Sequence, residues 1–212
     1  MHGRLPLYQE LYLLGHRDDS TPLIHQPSLC LGMAGAVVIE LVIGDQVMVR
    51  DGRIVLRGQR PIHEPVVEST LADLARTRGE RLLAVWIRGL ATDIYDRTTG
   101  ALLARGVVVR ETRRRFGMRR DRFLLSSPAI ADGIRGAVCH AVYGRQNPDA
   151  QCAALCGLVG IVGLDGALCL VDGSVQLRAR LAEIASWHHS GVQDVIAAVD
   201  RLIGEVAVSV YR

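Results

Sequence analysis

Leu29-Cys-Leu-Gly-Met-Ala-Gly-Ala-Val-Val-Ile-Glu-Leu-Val-Ile43 is apolar almost throughout and carries a single charged side chain, Glu40. A membrane-crossing helix needs about 20 such residues, so this run reads as a core helix, with Ser28 as its cap. Gly32, Ala34, Gly35 and Ala36 make it thin enough to be packed on several sides, which places it at the centre of the fold. Leu155 to Leu164, ending at Asp165-Gly166, has the same character and reads as a second buried helix.

Outward from that centre the helical period dominates. Leu5-Pro6-Leu7 opens an amphipathic helix with Leu7, Leu11 and Leu14 on one face, closed by the turn Asp18-Asp19-Ser20. Leu23 to Pro27 reads as an extended connector. Helices are predicted over Glu64 to Thr77, over Glu80 to Leu90 with Leu83, Trp86, Ile87 and Leu90 facing inward, and over Ile94 to Arg105, stopping at Gly106. Beyond Pro128 the pattern is helical again, broken at Asn147-Pro148, at 163–166 and at Asp172-Gly173. The last helix carries Val192, Val195, Ile196, Val199, Leu202, Ile203, Val206 and Val210 at a 3.6-residue repeat. Aromatic residues are only 4% of the chain, so Leu, Val, Ile and Ala build the core, which suits helix-on-helix packing. The fold class is mainly α: a helical bundle with a central apolar helix and two β-hairpins, forming one domain over residues 1–212.

The first hairpin is signalled by Arg50-Asp51-Gly52-Arg53 between Gln46 to Val49 and Ile54 to Arg57, since Asp-Gly favours a two-residue turn. The second has strands over Val107 to Glu111 and Arg122 to Leu125, with a turn region from Arg113 to Arg120. All 25 basic residues are arginine, and the net charge is only +3. The distribution is uneven: from Arg105 to Arg122 eight arginines face Glu111 and Asp121, a local charge of +6 that leaves the rest of the chain at −3. One segment holds the basicity.

In that segment Arg113, Arg114, Arg115, Arg119 and Arg120 surround Phe116 and Met118. Two apolar side chains ringed by guanidinium groups suit insertion at the acyl boundary of an anionic bilayer, each basic group contributing about 1 kcal/mol near the surface. The expectation is a peripheral, non-enzymatic protein with these seven residues as its membrane contact and anionic lipid as its partner. Protein cargo is a second expected partner, and the 107–125 hairpin a surface for self-association. The competing reading of the segment is a solvated hairpin whose Phe116 packs on the body or on another subunit. The alternative function is a winged-helix nucleic-acid-binding regulator, with Arg97 and Arg105 on the recognition helix and the hairpin as wing. Asp93 and Asp96 beside Arg97 weaken phosphate attraction there, so nucleic acid is the less favoured partner.

Other chemistry is sparse. Cys152 and Cys156 lie four apart without a second pair at zinc spacing, and His140, His188 and His189 lack matching carboxylates, so neither a metal nor a catalytic set is predicted. No cofactor is expected, because the glycines at 157, 160, 163 and 166 follow no strand and read as packing and termination positions. Glu40 is the one acid whose burial would perturb it, and it is assigned no reaction. Five cysteines, an odd number mostly inside apolar runs, suit a reducing cytoplasm, and Gln9-Glu10 interrupts what would otherwise resemble a leader. The expected location is cytoplasmic, peripheral to the membrane face.

Several segments together resemble the Golgi phosphoprotein three family, whose yeast member is a vacuolar sorting factor, and in particular its shorter bacterial branch. They are Leu5-Pro-Leu-Tyr-Gln-Glu-Leu-Tyr-Leu-Leu-Gly15, Ser28-Leu-Cys-Leu-Gly-Met-Ala-Gly-Ala-Val-Val-Ile-Glu-Leu41, Trp86-Ile87 and Leu103-Ala-Arg-Gly-Val-Val-Val-Arg110, with weaker likeness through Asp149 to Leu158 and the final helix. The resemblance implies a helical domain attached peripherally to membranes through phosphatidylinositol 4-phosphate, a hairpin engaged in insertion or self-association, and, in eukaryotes, an adaptor role in retaining glycosyltransferases. Eukaryotic members hold the headgroup with a tryptophan and three arginines. The matching positions here are His25, Ala34, Thr92 and Tyr95, so none of those ligands is carried over, and neither is specificity for the 4-phosphate.

Overall fold

The computed structural model describes residues 4–58, 60–79, 81–115, 118–166 and 175–210, with 113–115, 118–121, 175, 209 and 210 described by backbone alone. The chain is mainly α. Its helices are α1 (Leu7–Leu14), α2 (Gln26–Ile43), α3 (Pro65–Arg76), α4 (Leu83–Ala91), α5 (Ile94–Ala104), α6 (Pro128–Val142), α7 (Ala150–Val162), α8 (Val175–Ala185) and α9 (Ser190–Val210). Two antiparallel hairpins, β1 (Val47–Arg50) with β2 (Arg53–Leu56) and β3 (Val108–Arg115) with β4 (Met118–Leu125), complete the described elements.

The apolar run is the axis of the molecule. α2 packs against α1, α3, α4, α5, α7 and α9, and a helix apolar on every side is stable in water only when so surrounded. By length and composition α2 is also apolar enough to cross a membrane, but two thirds of it is buried inside the protein. Its glycines set how closely the neighbours approach: a Cβ on Gly32 would lie 2.6 Å from Val162 of α7, and one on Gly35 would overlap Val199 of α9. α9 supplies Val192, Val195, Val199 and Leu202 to this core, following the predicted repeat.

Local differences from the sequence reading have identifiable causes. α2 begins at Gln26, so Ser28 lies inside the first turn rather than at the cap, and Pro27 sits where its missing N–H costs nothing. α1 begins at Leu7 and is not amphipathic: all eight of its residues are buried, Gln9 and Glu10 included, because α2, α5, α6 and α7 enclose it. The helix predicted from Glu80 begins at Leu83, since Arg81 and Leu82 pair with β2 instead: the Ile54 N–H donates to the Arg81 carbonyl at 2.8 Å and Leu82 bridges Arg53. The first hairpin turns at Asp51-Gly52 with φ of +51° and +70°, the left-handed pair that a tight turn requires.

The second hairpin departs furthest. Its expected turn region is mostly strand: pairing continues through Arg113↔Arg120 and Arg114↔Arg119 to Arg115↔Met118. Ladder pairing satisfies backbone groups that an eight-residue loop would leave to solvent.

Candidate functional site

The base of the β3–β4 hairpin is fixed to the helical body. Val107 and Val108 are buried, the Ser126 N–H and hydroxyl both donate to the Val107 carbonyl at 2.9 Å, and the Ser20 hydroxyl donates to the Phe123 carbonyl. Arg110 lies over the Phe123 ring at 5.6 Å, a cation–π contact near that base. From there the register sets Arg113 opposite Arg120 and Arg114 opposite Arg119. The five predicted contact arginines and Met118 thus belong to one two-stranded ribbon. Phe116 lies outside the described residues, as do the side chains of Arg113, Arg114, Arg115, Met118, Arg119 and Arg120.

The four positions corresponding to headgroup ligands in eukaryotic relatives differ in their surroundings. Ala34 is fully buried in α2. Tyr95 belongs to an internal aromatic cluster: the His16 ring stacks on Tyr12 at 4.1 Å, its Nδ1–H donates to the Tyr12 carbonyl at 2.7 Å, and its Nε2 accepts from the Tyr95 hydroxyl at 2.8 Å. Burial lowers the His16 pKa, and the Tyr12 carbonyl opposes that shift without overcoming it. His25 and Thr92 are exposed at the start of α2 and the end of α4. Thr92 there lines a groove of about 380 Å³ with Cys30, Leu31 and Arg88, and the Arg88 guanidinium is paired with Glu205. Arg97, named for the alternative recognition helix, turns toward α3 and donates to the Ser69 hydroxyl at 2.5 Å while pairing with Asp93 at 3.7 Å.

A polar constellation around α1 was not legible as a site in the sequence. Glu64 caps α3 by accepting from the Val67 N–H at 2.8 Å, and it also accepts from the Tyr8 hydroxyl at 2.5 Å. Burial and that carboxylate push the Tyr8 phenol well above its ordinary range. Glu40 accepts from the Leu7 N–H. Burial pushes its carboxyl up to about 8, with the Leu7 N–H pulling back and the Glu64 and Glu10 charges adding to the rise. The predicted perturbation of Glu40 is therefore present, and the surrounding hydrogen bonds make it part of the α1–α2 packing.

At the other side of α1, Arg4 pairs with Glu10 at 3.3 Å and also with Asp149. Asp149 caps α7 by accepting from the Cys152 N–H at 2.8 Å. Burial raises the Glu10 pKa, against the pull of Arg4 and of the Gln151 amide. Glu10 is 5% exposed, and its Oε2, like the Gln9 Oε1, is shut off from solvent without a hydrogen bond among the described residues. The Gln151 amide therefore acts on the carboxylate from beyond ordinary hydrogen-bond geometry. The one signal in the sequence was Gln9-Glu10 in the middle of an apolar helix. Cys152 and Cys156 are buried thiols hydrogen-bonded to each other, which lowers the Cys152 pKa and, together with burial, raises that of Cys156. Among the described residues no group of three or more His, Cys, Asp or Glu is arranged to hold a metal.

A family model described as Golgi phosphoprotein 3 (GPP34) matches residues 7–199, from the first residue of α1 into α9. No curated protein matches the chain significantly.

Proposed function

Because the chain belongs to the Golgi phosphoprotein 3 (GPP34) family, we propose that it is a peripheral, non-enzymatic adaptor that docks on an anionic lipid surface through the β3–β4 hairpin, with residues 1–212 acting as one domain. The observation that carries this reading is the register. Two successive cross-strand pairs set arginine against arginine, and like charges directly opposite destabilise an antiparallel pair. Lipid phosphates laid across the ribbon relieve that repulsion and gain about 1 kcal/mol for each basic group near the surface. Phe116 and Met118, flanked in sequence by these arginines, act as the apolar wedge. The protein then sits on the cytoplasmic membrane face, its helical body free to hold a protein cargo or a second copy. The lipid is recognised as an anionic surface rather than as a 4-phosphate headgroup, since His25, Ala34, Thr92 and Tyr95 replace the eukaryotic ligands. The engagement of Arg97 with α3 favours this reading over the nucleic-acid one.

Flotation with phosphatidylglycerol-containing liposomes tests it. The wild type floats with the vesicles at low salt and is released as ionic strength rises, while Phe116→Ala and Arg114→Glu each lower the bound fraction. Binding indifferent to both substitutions would remove the hairpin as the contact.

A further inference from the structure

A cavity of about 400 Å³ opens where α1, α6 and α7 meet, and Arg4, Glu10, Gln146, Asn147 and Asp149 supply its polar lining. Cys152 lines it, while Cys156, one helical turn further along α7, does not. The two thiols differ accordingly in access: Cys152 is 7% exposed and Cys156 is fully buried. The charges of Arg4, Asp149 and Glu10 all act on the Cys152 sulfur, which sets that sulfur beside the polar lining of the cavity. Its place in the first turn of α7, where Asp149 caps the helix through the Cys152 N–H, brings the positive end of the helix dipole to bear on a thiolate. The hydrogen bond from the Cys156 thiol lowers the Cys152 pKa against the cost of burial, and Arg4 acts in the same direction while Asp149 and Glu10 oppose it. Residues four apart in an α-helix share a face, with Cα atoms about 6 Å apart. That spacing is inside the range of about 4.4–6.8 Å that disulfides span.

We propose that Cys152 and Cys156 form a redox pair: a hydroperoxide entering the cavity oxidises Cys152, and Cys156 converts the product into a disulfide within α7. In the first step the Cys152 thiolate attacks the terminal oxygen of the hydroperoxide. An S–O bond forms, the O–O bond breaks, and the departing alkoxide takes up the proton that the thiol released. The sulfur is oxidised to a sulfenic acid and the hydroperoxide is reduced to an alcohol. In the second step the Cys156 sulfur attacks the sulfenic sulfur, an S–S bond forms, and the hydroxyl group leaves with the Cys156 proton as water. The roles follow from access, since an oxidant in the cavity meets the lining thiol first. No hairpin residue takes part.

The test treats the reduced full-length chain with tert-butyl hydroperoxide, alkylates the remaining thiols and maps them by fragmentation in a mass spectrometer. The chain loses two hydrogens, Cys152 and Cys156 are protected from alkylation, and the other three of its five cysteines are modified. Dithiothreitol then restores both thiols. In Cys156→Ala the oxidation stops at a sulfenic acid on Cys152, which dimedone captures. In Cys152→Ala, Cys156 stays reduced. A disulfide from either thiol to Cys139 or Cys169, or oxidation of Cys156 without Cys152, would overturn the assignment. So would a wild-type chain whose pair stays reduced while Cys30 or Cys139 reacts, or in which no thiol reacts. If either variant fails to fold, the wild-type map decides the question without it. Liposome flotation of the oxidised chain matches that of the reduced chain, so failure here is distinguishable from failure of the hairpin reading.

Discussion

The α1–α2 core and the β3–β4 hairpin respond to the same physical terms in opposite ways. In the core, close contact is possible because side chains are missing at Gly32 and Gly35, and the few charges present are desolvated and held by specific donors. In the hairpin, arginines are set opposite arginines on a ribbon anchored to the body at its base. The core minimises free energy within the chain. In the proposed reading, the hairpin's like-charge register is what an external anion would relieve. If the proposed membrane contact holds, it and stability are carried by different residues, and changes in one region should leave the other largely intact.

The largest effect expected is a pH dependence that belongs to the core alone. The Glu40 carboxyl is raised from 4.5 to about 8 in the fold, so between those values the folded chain keeps a proton that the unfolded chain has lost. Stability therefore falls as pH rises through that window and levels off above it. At about 1.4 kcal/mol per unit the total is on the order of 5 kcal/mol. Glu40→Gln should match the wild type near pH 4 in urea denaturation and be the more stable protein by about that amount at pH 9. Parallel stability curves for the two proteins would show that the carboxyl is not held neutral.

The next test closes the gap between α2 and α9. Gly35→Leu forces a side chain into the space occupied by Val199 and should lower the unfolding free energy by about 3 kcal/mol, more than the gain in helix propensity restores. Chain that remains folded should still bind liposomes as the wild type does. A cost below about 1 kcal/mol would mean that the two helices separate easily, and that the core is less tightly fixed than the glycine contacts imply.

The smallest effect sharpens the comparison most, because its two readouts move in opposite directions. Arg120→Glu replaces a like-charge pair opposite Arg113 with an opposite-charge pair and should raise stability by about 0.5 kcal/mol. The same change should lower the fraction bound to anionic vesicles. If stability falls and binding is unchanged, the arginine pairs are neither repulsive within the ribbon nor directed at the membrane.

Much of this division was legible in the residues. The apolar run at 29–43, the Asp51-Gly52 turn, the 3.6-residue repeat of the last helix and the arginine cluster each carry a local signal, and the elements they predict are present. The extent of the second hairpin was not legible, because arginine runs lack the alternation that marks a strand; only pairing with the partner strand reveals them as one. Ser28 was misleading for a related reason. Pro27 already fixes the first turn, so no cap at 28 is needed.

α1 shows where local reading stops. Leu7, Leu11 and Leu14 suggest one buried face, and nothing within ten residues says that the opposite face is covered by α6 and α7, more than a hundred residues away in sequence. That long-range closure desolvates Glu10 and brings Arg4 to Asp149. The amino-acid order by itself determined a helical protein built around one thin apolar helix, with its positive charge concentrated in a single hairpin, since those properties follow from periodicity and composition over short spans. Which polar groups are removed from water, and which of the described ones are left without a partner, was decided only by the tertiary structure, because desolvation depends on every element that packs against a group and not on its neighbours along the chain.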